Sequence, residues 1–328
     1  MKVAMLIVAA DIGGTKTHLV LFEGSYPKNV IKEKKYESQK YSSLEEILLD
    51  FLIGYDLVAV ACLAIAGPVE GGICRATNLP WIVSKKAVEQ KTAISRVFLI
   101  NDLEANAWGI AMLKSDELLL INKGNTLLQG NRALIAAGTG LGEAGLFWDG
   151  VQHHPFACEG GHCDLAPIDD EQILLLQYLK KKQEHVSYER VLSGPGIVAL
   201  YSFFVEDRGL QPSDQVAQSL TKDNPAKVIT NAALARSCPL CMRVIELFVY
   251  LYGLEAGNLA LKIFALGGLY IGGGIAPKIA TYIQEGRFME GFTAKGRLGK
   301  VLASVPVYLI MNENTALLGA VRYATQKR

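Results

Sequence analysis

Short apolar runs broken by glycine turns alternate along this chain with segments whose apolar residues recur every three or four positions. The run at residues 3–10 ends at Asp11 and a Gly-Gly turn, and a second run follows at 18–22, so the two predict a β-hairpin with a third strand over 30–36. Ser43 occupies the cap position before a helical pattern at 44–53. Residues 57–65 read as a buried strand, 97–100 as another ending at Asn101-Asp102, and 103–113 as a helix. The pattern then restarts: a strand at 133–137, the turn Gly138-Thr139-Gly140-Leu141-Gly142, and a strand at 143–148. Helices are predicted over 170–182, 196–205, 225–236 and 240–265, a strand over 269–271 leading into Gly272-Gly273-Gly274, a last strand over 307–310 and a last helix over 315–323.

Two half-chains that each open on strand, glycine turn, strand predict duplicated α/β domains, a likeness of architecture and not a residue-level repeat. A length of 328 residues suits two domains of ordinary size. With 33 basic and 32 acidic side chains, the chain has no electrostatic footprint for nucleic acid or an anionic membrane, which leaves a small or locally recognised partner.

Half of the residues are hydrophobic and the mean hydropathy of +0.23 is high, so membrane spans need a check. The run at 3–10 is too short to cross a bilayer, and the stretch at 259–275 is broken by Lys262 and glycines. With no targeting segment in view, the cytoplasm is the expected compartment. Six cysteines in a chain of this length do not make a disulfide scaffold. Cys238-Pro-Leu-Cys241 has the spacing of a redox or metal pair, but without a second pair it reads as two reduced thiols at the start of a helix.

Asp11-Ile-Gly-Gly-Thr15-Lys16-Thr17 follows a buried strand. Its Gly13 and Gly14 let backbone N–H groups approach phosphate oxygens, its hydroxyls add donors, and Asp11 can hold Mg²⁺ through water; an ordinary hairpin turn fits equally well. Gly138-Thr139-Gly140 repeats this chemistry, and two such turns suit a clamp on a polyphosphate. Gly273 marks a close-approach site for a flat base or ribose, or else a turn before a helix.

Asn101-Asp102 ends a strand, where α/β sheets place catalytic groups. Asp102 can accept a proton from a hydroxyl during phosphoryl transfer and Asn101 can both donate and accept; a plain helix cap is the competing reading. Glu159-Gly-Gly-His162 can converge a carboxylate and an imidazole on adjacent hydroxyls of a polyol, with Glu189 as a further acceptor. A metal site from His162, Cys158 and Cys163 lacks partners at ligand spacing.

The blocks Asp11-Ile-Gly-Gly-Thr15, Ala64-Ile-Ala-Gly-Pro68, Thr77-Asn-Leu-Pro-Trp81, Asn101-Asp102, Gly138-Thr-Gly-Leu-Gly142, Glu159-Gly-Gly-His162, Tyr188-Glu-Arg-Val-Leu-Ser-Gly194 and Gly272-Gly-Gly-Ile-Ala-Pro277 stand in the order found in bacterial glucokinases, a family the whole chain resembles. That resemblance implies a two-domain actin-like ATPase (ribonuclease H-like) α/β fold with the active site in a cleft. Its smaller α/β domain would hold residues 1–112 and 302–328, and its larger α+β domain residues 113–301. It also implies ATP with Mg²⁺ as cofactor and phosphorylation of glucose at O6. Asn101, Asp102, Glu159, His162 and Glu189 would bind the sugar, with Asp102 as general base. Asp11 (through water to the metal), Gly13, Gly14, Thr15, Lys16, Thr17, Gly138, Thr139 and Gly140 would hold the phosphates, Gly273 the adenosine, and the chain would be a homodimer.

Lys16 stands where many members carry asparagine, which leaves the phosphate donor open between ATP, ADP and polyphosphate. Cys163 is followed by Asp164-Leu-Ala-Pro with no further cysteines nearby, which places the chain with the branch that lacks zinc. Mannose or N-acetylglucosamine is the alternative substrate. A non-catalytic sugar sensor is a further alternative, although the ten residues ahead of Asp11 are too few for a DNA-binding module.

Overall fold

The computed structural model describes residues 5–24, 26–55 and 57–327. Residues 3 and 4 of the first expected strand lie outside the described residues. The chain divides into two compact units, Met1–Ser115 with Pro155–Ala157 and Asn312–Arg328, and Asp116–His154 with Cys158–Met311.

The first unit is built on a five-stranded sheet in the order Val30–Glu37, Lys16–Glu23, Leu6–Ile12, Val58–Ile65, Arg96–Asn101. The first three strands pair antiparallel and the last three parallel. Continuous apolar sequence lets Leu6–Ile12 and Val58–Ile65 be covered on both faces. The period of two sorts them: Val8, Ala10, Leu19 and Leu21 pack with Leu44, Ile47, Leu48 and Phe51 of the helix Leu44–Phe51. Ile7, Ala9, Val20 and Phe22 face Leu317, Ala320 and Val321 of the C-terminal helix Thr315–Gln326. Ser43 caps the first of these helices by accepting from Glu46 N, while Glu46 accepts from Ser42 N, close to a capping box.

The second unit repeats the plan. Its six-stranded sheet runs His153–Cys158, Leu141–Trp148, Arg132–Ala137, Gly268–Gly272, Val307–Ile310, Leu118–Asn122. Here too a hairpin pairs antiparallel and the central strand then pairs parallel with its neighbours. The helix Pro239–Lys262 supplies much of the core through Val244, Ile245, Phe248, Tyr252 and Leu259. It is long and apolar enough to cross a membrane by length and composition, but 78% of that stretch is buried inside the structure, as in a core helix. The Cys238 and Cys241 thiols are buried at its start.

Several boundaries and elements differ from expectation. The helix expected over 196–205 is Gly194–Ser202 followed by a π-helical turn, Phe203–Asp207. That expected over 103–113 is Asp102–Gly109 plus a short 3-10 turn, Ile110–Met112. The strands Leu118–Asn122 and His153–Cys158 were not expected; the first is an apolar run too short for periodicity to tell strand from helix, and the second has little apolar sequence.

Candidate active site

Three parallel strands of the first unit end together, with Asp11 opposite Ala64 and Ala64 opposite Ile100, so Asp11 and Asn101-Asp102 meet at the carboxyl edge of the sheet. Asp102 is the first residue of the helix Asp102–Gly109, where the helix dipole favours a negative charge. Burial, and then the nearby charge of Asp102, raises the Asp11 carboxyl to about 6. Two close carboxyl groups, one of them short of solvation, fit a hard cation. Mg²⁺ commonly takes one or two carboxylates and fills its shell with water and substrate phosphates. Among the described residues no group of three or more His, Cys, Asp or Glu could hold a metal alone, so phosphate would have to complete the shell.

Asn101 has a task of its own. Its side-chain oxygen accepts from Leu103 N at 2.8 Å and Glu104 N at 3.3 Å, and its amide donates to Gly67 O at 3.1 Å. The helix-cap reading is therefore correct for Asn101, leaving its remaining amide hydrogen as the one group to offer a ligand.

The first glycine turn is braced from below. Gly13 N donates to Lys16 O at 2.9 Å, Ser38 Oγ donates to Gly13 O at 2.8 Å, and Ser38 N donates to Thr15 O at 3.0 Å. Thr15 and Lys16 are exposed. Thr17, expected to donate to phosphate, is instead wholly buried with its hydroxyl 3.0 Å from Ser38 Oγ. The strand alternation after the turn sends Lys16 out and Thr17 in.

In the second unit the turn at Gly138 closes with Gly138 N donating to Gly140 O at 2.8 Å. Gly194 N donates to Gly138 O at 2.8 Å, which sets the N-terminus of the helix Gly194–Ser202 beside the turn. Ser193 caps that helix by accepting from Gly196 N at 3.0 Å. A cavity of about 980 Å³ opens here, lined by Gly138, Thr139, Pro195, Asn224, Lys227 and Lys278 among others. A helix N-terminus, a Gly-Thr turn and two lysines make it suited to an anionic ligand of nucleotide size.

Gly274 and Ile275 also line this cavity. Gly273 has a different reason to be glycine: its φ is +82°, and a Cβ there would overlap the Ala137 carbonyl. The expected contact at Gly273 thus shifts one residue, to Gly274. Asn224, Lys227 and Lys278 were missed; an Asn-Pro helix start at 224 was their one local signal.

Glu159 and His162 are exposed at the ends of the short 3-10 turn Gly160–His162. This segment is stitched to the next: Tyr188 N donates to Cys163 O at 3.0 Å, and Asp164 bridges to Ser187. Glu189 is partly buried and accepts from Leu141 N at 2.9 Å, so one of its oxygens anchors the Gly138–Gly142 turn. The structure thus gathers Asp11, Asn101 and Asp102 in one unit, and Glu159, His162, Glu189 and Gly138–Gly140 in the other.

The sequence profile of the Glucokinase family matches residues 8–327. The chain is similar to a glucokinase of Nostoc sp., at 40% identity over 334 residues covering 96% of this chain and 97% of that one. The solved structure of a glucokinase from an Antarctic psychrotroph superimposes with a TM-score of 0.83 at 33% identity, covering 98% of this chain and 99% of that one. A glucokinase from Balamuthia mandrillaris, solved in complex with glucose, has a TM-score of 0.81 at 21% identity, covering 98% and 94%. These likenesses establish the actin-like ATPase fold.

Proposed function

The chain belongs to the glucokinase family, and from that premise we propose that it transfers the γ-phosphoryl group of ATP to O6 of glucose with Asp102 as general base. The observation that supports the base assignment is the meeting of Asp11 and Asp102 at the ends of parallel strands, the Asp11 carboxyl being raised by burial and then by the charge of Asp102. Asp102 accepts the hydroxyl proton as the oxygen attacks phosphorus. Its place at a helix N-terminus favours the ionised form it needs before that step.

Glu159, His162 and Glu189 bind the sugar hydroxyls, assisted by Asn101. Exposure of Glu159 and His162 on a braced 3-10 turn supports that role. The nucleotide lies in the cavity beside the helix Gly194–Ser202, its phosphates on the N–H groups of the Gly138–Gly140 turn; in the first unit Gly13, Gly14 and the exposed Thr15 and Lys16 are phosphate donors. Mg²⁺ would be held through water by Asp11 and would neutralise charge on the phosphates. The enzyme works as a homodimer in the cytoplasm.

The deciding experiment is a panel of hexoses in a coupled assay of ADP release, repeated with ADP and polyphosphate as donors. Glucose with ATP is expected to give the highest kcat/KM. Preference for mannose or N-acetylglucosamine would overturn the substrate, and no turnover with any sugar would make the chain a binder.

A further inference from the structure

Beneath the sugar-binding segments of the second unit lies a second pair of carboxyl groups that the reaction does not use. Glu143, on the strand Leu141–Trp148, is 1% exposed, and Glu255, on the helix Pro239–Lys262, is 0% exposed. Their side chains are within hydrogen-bonding reach of each other. Glu143 Oε1 and Glu255 Oε1 are both buried without a hydrogen-bond partner among the described groups. Neither oxygen receives a hydrogen bond, Lys262 Nζ standing 3.6 Å from Glu255 Oε1 as an ion pair, and one proton on either oxygen supplies the bond between them.

The pair is joined to both sugar segments. The Glu143 carboxyl packs so closely on Gly160 that a Cβ there would overlap it. Glu255 Oε2 accepts from the Asn258 amide at 2.8 Å, and that amide also donates to Tyr188 Oη at 3.1 Å, beside Glu189. We propose that Glu143 and Glu255 hold one proton between them and that this pair positions Glu159–His162 and Tyr188–Arg190 for the sugar.

If that proton departs, the sealed pair carries two negative charges, faced by the ammonium groups of Lys262 and Lys295. Lys262 Nζ stands 3.6 Å from Glu255 Oε1, and Lys295 acts on Glu255 from farther away. Tyr188, Tyr252 and Cys158 are raised first by burial and then by these charges, so they stay neutral. Burial, with the charge of Glu255 added, lifts Glu143 to about 8, and burial raises Glu255 as well. Above that range the second charge appears directly under Gly160.

This inference rests on the sugar assignment proposed above, and direct binding separates the two. Glucose binding is measured by calorimetry from about pH 7 to about pH 9 for the wild type, Glu143→Gln and Glu255→Gln. A single proton with a midpoint near 8 weakens wild-type binding about tenfold across that range, whereas Glu143→Gln, which keeps shape and cannot ionise, binds like wild type at neutral pH and stays flat. Glu143→Ala, which also removes the contact, weakens binding at every pH, so glutamine and not alanine preserves function. If Glu143→Gln folds poorly, Glu255→Gln gives the same flat profile. A flat wild-type profile, or an alkaline loss that survives in the glutamine variants, overturns the positioning pair while leaving the sugar assignment intact. No hexose binding by the wild type at any pH overturns the sugar assignment and this inference with it.

Discussion

Each unit builds the same hairpin on the same run of parallel strands, yet the two place their acidic side chains at different depths. In the first, Asp11 stands at the end of the central strand and Asp102 at the start of a helix, both partly open. In the second, Ala136-Ala137 precede the turn as Asp11-Ile12 do in the first, and the acids are sealed inside, Glu143 on the returning strand and Glu255 on the core helix. An acid at an open strand end can exchange its proton with a ligand or give its charge to a metal. An acid sealed in the core exchanges at a high desolvation cost, and its use is to hold neighbours in place. One topology thus carries an open pair of acids and a sealed pair.

The sharpest way to break this contrast is to neutralise one acid of the open pair. Asp102→Asn is expected to lower kcat by roughly 10²–10⁴, the range for loss of a general base, with glucose binding near wild type by calorimetry. Near-normal turnover would remove Asp102 from the role. Next in size, Glu159→Gln or His162→Ala should raise the glucose KM about tenfold, the loss of one charge-assisted hydrogen bond, while kcat changes less. A fall in kcat without a change in KM would contradict a binding role.

Asp11 tests the open pair through protons and metal together. Burial, and then the charge of Asp102, pushes its carboxyl from the ordinary 3.8 up to about 6, so the folded state binds more protons across that window and loses stability as pH rises through it. Asp11→Asn should therefore raise Tm at neutral pH. In the wild type the acid limb of the rate should lie near pH 6 and move to lower pH as Mg²⁺ increases, because the metal competes with the proton. An acid limb indifferent to Mg²⁺ would remove Asp11 as its water-mediated holder.

The smallest expected effects compare two cap serines, one per unit. Ser43→Ala and Ser193→Ala should each cost about 1 kcal/mol of stability as lost N-caps. Ser193 caps the helix that borders the cavity proposed for the nucleotide, so its variant should also raise the ATP KM, whereas Ser43→Ala should leave both KM values unchanged.

Much of the open pair's setting was legible in the sequence. A strand expected at 57–65 is Val58–Ile65, and one expected at 97–100 is Arg96–Asn101, because an apolar run closed by a Gly-Pro turn in the first case and by Asn101-Asp102 in the second marks where a buried strand surfaces. Thr17 was misread because the turn motif drew attention to its hydroxyl; alternation already turned it inward, although its partner Ser38 lies on the far side of another strand. The cavity beside Ser193 was legible only at its Gly-Thr turn. Asn224 and Lys227 come from the start of one helix and Lys278 from a later 3-10 turn, and they share no local pattern with it.

By itself the sequence determined the elements that local physics controls: apolar runs that must be strands, glycine turns, serine caps, and the acids that end strands at Asp11 and Asp102. Only the tertiary structure decided depth. Glu143 and Glu255 each read as one acidic residue within an apolar segment, and nothing near either reports the other. They became a pair when the helix Pro239–Lys262 packed against the second sheet and closed water out, since burial depends on what distant segments cover.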